Sequence, residues 1–133
     1  MVFSRDALSN VICNIRIPFE DKEEIGTGIF IEKDNQPYLL TAAHVIKNIN
    51  DKAYVILSEE KGTSTKVPLD VLLGGTKFNN HPQADLANAK IIVTDKNIGY
   101  LSGRCFPYKQ INIGNNLISK DLELTTIGFP LGL

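Results

Sequence analysis

Apolar and polar residues alternate in short runs along most of the chain. In Val11-Ile-Cys-Asn-Ile-Arg-Ile17, the residues Val11, Cys13, Ile15 and Ile17 share one face, the period-2 signature of a half-buried strand. Pro18 is expected to stop that run, and the acidic Glu20-Asp-Lys-Glu-Glu24 reads as a solvated hairpin loop. Further strands are expected over 26–31, 38–41, 52–57, 66–73 and 87–93. Turn chemistry separates them at Asp34-Asn35-Gln-Pro37, Gly62-Thr63-Ser64 and Asn79-Asn80-His81-Pro82. Ala42-Ala43-His44-Val45-Ile46 interrupts the pattern with small residues suited to a single helical turn. Helical periodicity is otherwise almost absent. The expectation is an all-β protein whose residues 1–94 form a six-stranded antiparallel β-barrel. From 95 to 120 the pattern loosens around Gly99, Gly103, Pro107 and Gly114 into a connector. Over 122–129 it returns to a strand with no partner left in sequence. An unpaired apolar edge invites aggregation, so residues 121–133 are expected to be the truncated start of a second barrel.

Composition narrows the class. Ile, Leu, Val and Phe make up about a third of the 133 residues, well above the roughly one-fifth below which chains stay disordered. Fourteen basic residues against fifteen acidic ones leave a formal charge of −1. That gives no electrostatic reason to expect nucleic acid or an anionic membrane as partner. No apolar run approaches the ~20 residues of a membrane span. The first residues lack the charged-then-apolar plan of a signal peptide, which, with only two cysteines, favours a cytoplasmic location. Cys13 and Cys105 form neither a disulfide framework nor a C-x-x-C metal site.

Gly26-Thr-Gly-Ile-Phe-Ile31 followed by Tyr38-Leu-Leu-Thr-Ala-Ala-His-Val45 resembles the G-[ST]-G-apolar and LTAAHV segments of trypsin-like (chymotrypsin-fold) serine proteases, the disulfide-free bacterial members above all. The resemblance implies that His44 is the catalytic general base. The residue type suits that role, since imidazole titrates near neutrality. It also implies an orienting aspartate in a D-[LI]-A-x-x-[KR]-apolar segment some forty to fifty residues on. Asp85-Leu-Ala-Asn-Ala-Lys-Ile91 matches it, with Asn88 where the family usually has an apolar residue. Ile113-Gly114 and Ile127-Gly-Phe-Pro-Leu-Gly132 are similar to the segment that links the two barrels of that fold.

The family's nucleophile motif, G-[DN]-S-G-G, does not occur in the chain. Ser102, in Tyr100-Leu-Ser-Gly-Arg104, lacks the preceding acidic or amide residue and the second glycine. Cys13 and Cys105 lack flanking glycines and read as structural thiols. His81 stands four residues before Asp85, but Pro82 disfavours helix there and no further ligands present themselves for a metal. It reads as a surface turn residue. Gly74-Gly75 lacks the Lys-Ser/Thr of a phosphate loop. The expectation is therefore the amino-terminal half of a trypsin-like serine endopeptidase. It needs no cofactor or metal, acts on polypeptide substrate, and depends on a carboxy-terminal barrel that carries the serine. The competing class is a non-catalytic barrel that binds a peptide or protein along an open edge. A G-x-S-G-G motif encoded downstream separates the two.

Overall fold

The first alternating run becomes strand β1 (Ile12–Phe19) in a computed structural model that describes residues 5–59, 62–111 and 128. Cys13, Ile15 and Ile17 lose all exposure, and Val11 is buried at the end of the preceding helix α1 (Arg5–Val11). Seven residues are too few for a helical period to register in the sequence, and α1 was not expected. Pro18 does not stop β1, because it faces Glu23 near the end of the ladder. The hairpin is also tighter than a five-residue acidic loop. Only Glu20 and Asp21 turn, Glu20 at φ 56°, and Lys22 already opens β2 (Lys22–Lys33). Glu23 is held on the sheet by Arg16 at 2.6 Å and by the Tyr54 hydroxyl at 2.8 Å.

β2 turns into β3 (Gln36–Thr41) through Asp34 and Asn35, both at positive φ, as a two-residue I′-type hairpin requires. β4 (Tyr54–Ser58) and β5 (Ser64–Pro68) form the next antiparallel pair, with Val55 opposite Val67. The strand expected over 66–73 ends at Pro68, and α2 (Leu69–Leu73) follows. Its Leu69, Leu72 and Leu73 are buried together, an i, i+3, i+4 stripe that only a helix can present to one core. Gly74 stops the helix at φ 72°. A Cβ there would lie 2.1 Å from the Ile92 carbonyl oxygen. Asn79 and Asn80 form strand β6 rather than a turn, paired with β7 (Ala87–Lys90). β7 is shorter than the expected 87–93: Ile91 N–H still donates to Pro37 O of β3, but Ile92 N–H turns away to the Leu73 carbonyl of α2. Within the connector lie α3 (Ile98–Leu101), β8 (Phe106–Pro107), which runs parallel to β2, and a 3₁₀ turn over Tyr108–Gln110. The expected strand over 122–129 falls outside the described residues, Gly128 apart.

The protein is all-β, with few and short helices on one mostly antiparallel sheet ordered β5-β4-β1-β2-β3-β7-β6. Among the described residues no ladder joins β5 to β6. The two ends of the sheet instead approach through α2. Ile92 N–H donates to Leu73 O at 3.0 Å, and Thr76 Oγ1 donates to Lys90 O at 2.5 Å. Asn97, fully buried, completes the junction. Its Nδ2 donates to Leu72 O and Ile92 O, and its Oδ1 accepts from Thr94 N–H. The core holds Phe30, Leu39, Leu57, Leu72 and Ile91 beside the β1 residues. Among the described residues no helix is long and apolar enough to cross a membrane.

Asn97→Leu keeps the γ-branched shape but removes the partners of one buried backbone group, Leu72 O, and two partly buried ones, Ile92 O and Thr94 N–H. An unpartnered buried group costs about 1–3 kcal/mol, and a loss of that size, set mainly by Leu72 O, is expected for the variant. The loss is read as a lower urea midpoint at unchanged slope. A change within about 0.5 kcal/mol would show that the junction is not held this way.

Candidate active site

His44 sits on a 3₁₀ turn over Ala43–Ile46, separated from the end of β3 by Ala42 alone. The turn closes when Val45 N–H donates to Ala42 O at 3.1 Å. Val45 and Ile46 are buried, while the His44 side chain stays 72 % exposed. Two features of β2 make that seating possible. A Cβ at Gly26 would lie 2.5 Å from both γ-carbons of Val45, so only glycine lets the turn settle on the strand. Thr41 Oγ1 then donates to Thr27 O at 2.9 Å and ties the end of β3 to the same stretch. The glycine motif and the histidine motif, separated in sequence, are therefore two sides of one contact. At Gly28 an added Cβ would crowd Ile15, Leu39 and Cys13 within the core.

Asp85 belongs to the loop between β6 and β7, 41 residues from His44, and the fold brings the two together. Asp85 Oδ2 lies 2.5 Å from His44 Nδ1, and Oδ1 accepts the His44 backbone N–H at 2.8 Å. These bonds, the ring contact first, hold the Asp85 carboxyl below the ordinary aspartate range. It is then ionised near neutrality and can only accept, so Nδ1 must carry the proton. The Nε2 lone pair is left as a base. The pair lines a cleft of about 780 Å³ together with apolar residues such as Leu69, Leu73 and Phe78 and charged ones of both signs, Lys47, Lys77, Asp51 and Asp70.

The other candidates lie elsewhere. Ser102 follows α3 and, with Cys105, Pro37 and Val93, lines a separate cleft. Burial pushes the Cys13 thiol up to about 12 and the Cys105 thiol up to about 11, so neither is a thiolate at neutral pH. His81 turns inward on its own loop, where its Nδ1 accepts the N–H groups of Gln83 and Ala84 at 3.0 Å each. It is an exposed turn residue, as expected, and the acceptor role of its ring is what the sequence analysis left out. The signal was a side-chain acceptor two and three residues before backbone donors, the spacing of an Asx-type turn. Among the described residues no group of three or more His, Cys, Asp or Glu side chains is gathered as a metal site.

Gly26→Ala should force the His44 turn off β2. A loss of about 1–3 kcal/mol, usual for overpacking, is expected in chemical unfolding, and an unchanged midpoint would refute the contact. The lowered Asp85 carboxyl carries a definite sign in pH. Its contribution is complete above the unfolded-state value, about 3.9, and disappears as pH falls through the lower folded value. The stability gap between the parent chain and Asp85→Asn should therefore be widest near pH 5–7 and close on acidification. A gap that widens in acid would contradict the pairing. Compared with known proteins, the chain matches no family model and no curated sequence.

Proposed function

We propose that this chain is the amino-terminal half of a trypsin-like (chymotrypsin-fold) serine endopeptidase. The observation that carries the reading is the two-point contact of Asp85 on His44, at the end of a strand and beside a cleft. On this reading β1–β5 and β7 are the six strands of the fold's first barrel, its seam carried by α2 rather than by a ladder. The serine comes from a second barrel encoded beyond Leu133. His44 Nε2 takes the proton from that serine's Oγ as it attacks the peptide carbonyl, and Asp85 holds the resulting imidazolium. The imidazolium then protonates the departing amine, and water, activated by the same base, releases the acyl group. The two unpaired thiols suit a reducing compartment, in keeping with a cytoplasmic enzyme on polypeptide substrates.

The test uses the whole natural reading frame and a serine-selective phosphonate probe. Labelling is expected on a serine outside residues 1–133, and the 133-residue chain alone should stay unlabelled. His44→Ala should lower turnover by about 10⁶, and Asp85→Asn by about 10⁴. A frame that ends without such a serine, or peptidase activity indifferent to His44→Ala, would end the proposal. The first outcome favours a peptide-binding barrel.

A further inference from the structure

Asp85 sits on a loop that has little else to hold it. Residues 81–86 are all exposed, so burial does not fix their position. Pro82 removes one backbone donor. The strands on either side end at Asn80 and Ala87, which face each other in the ladder. The neck of the loop is closed by His81 N–H donating to Leu86 O at 2.7 Å, and Leu86 N–H donates to Ala84 O at 2.8 Å. Inside that neck the His81 ring grips the backbone, its Nδ1 taking the N–H of Gln83 and of Ala84. Asp85 is the next residue. Two donors aimed at one ring nitrogen require a lone pair there, so His81 is neutral with its proton on Nε2.

We propose that His81, acting through this neutral imidazole as an internal turn acceptor, is the positioning residue that presents Asp85 to His44. It touches neither the base nor any reacting atom. Its effect passes through the backbone of residues 83–85, where fixing Ala84 N–H sets the direction in which the Asp85 side chain leaves the loop. A freely moving loop would still carry a carboxylate, but one that meets both His44 N–H and Nδ1 for only part of the time. The geometry is the i+2, i+3 pattern that asparagine makes with its Oδ1, and the Asn-Pro pair that would arise favours turn initiation. That makes asparagine the natural stand-in. The assignment rests on the protease reading for its purpose, yet it concerns a contact that can be measured without any activity. Failure of either therefore leaves the other to be judged separately.

The experiment compares the 133-residue chain with His81→Ala and His81→Asn by amide hydrogen exchange and by the carboxyl titration of Asp85. The decisive probe is the His44 amide, which bonds to Asp85 and not to His81. In His81→Ala it should exchange at least about fivefold faster while amides in β1 and β2 keep their rates, the mark of local opening. The Asp85 midpoint should rise toward about 3.9. His81→Asn should restore both readings to near those of the parent chain. An unchanged His44 amide in His81→Ala would overturn the proposal. So would equal acceleration across β1 and β2, or an asparagine variant that behaves like the alanine one.

Discussion

Asp85 accepts from both the main chain and the ring of a single residue, His44. One bond to Nδ1 alone would fix the tautomer and leave the ring free to swing. The second bond, to the backbone N–H at 2.8 Å, ties the carboxylate to the turn itself, so that ring, turn and carboxylate keep one relative orientation. The arrangement adds only a small share of the fold's stability. With side chains 72 % and 56 % exposed, the pair lies where water screens its attraction. Energy flows the other way: the sheet holds the pair in place.

The sheet does this with residues that carry no charge. Gly26 yields its side-chain space to Val45, Thr41 locks onto Thr27, and Val45 and Ile46 bury the inner side of the turn. The outer side is then left to His44. The β6–β7 pairing fixes where the Asp85 loop begins and ends, and the Asn97 junction fixes where the chain leaves β7 relative to α2. A base placed on such elements is held more closely than one placed on a free loop. The loop itself is the weakest part of the support, which explains why a side chain inside it matters.

Much of this was legible in the sequence, and what was not has physical reasons. Alternation placed β1, β2, β3 and β4 because each buries one face against a shared core, and Cys13, Ile15 and Ile17 point where the pattern says. The boundary between β5 and α2 was hidden because Leu69 to Leu73 is an apolar run that serves a strand or a helix equally well. Pro68 and Gly74 settle it by removing a donor at one end and allowing positive φ at the other. Two-residue strands such as β6 and β8 leave no period to detect. His44 and Asp85 stood out in the sequence through their flanking residues, but that they touch depends on folding across 41 residues. His81 was missed because an acceptor role shows only once the loop has closed around the ring.

A carboxylate and an imidazole on an open rim interact in a setting that water screens. In water the imidazolium formed on proton transfer is already well solvated, and Asp85 adds little to it beyond direction. The same pair under a second body would work differently. Removing water from the cleft lowers the local dielectric and strengthens the attraction between Asp85 and a charged His44. Leu69, Leu73 and Phe78 already give the cleft part of an apolar lining. On the protease reading, the half described by this chain contributes orientation, and the half that carries the serine contributes both nucleophile and desolvation. The exposure of His44 is then a consequence of dividing one active site between two barrels.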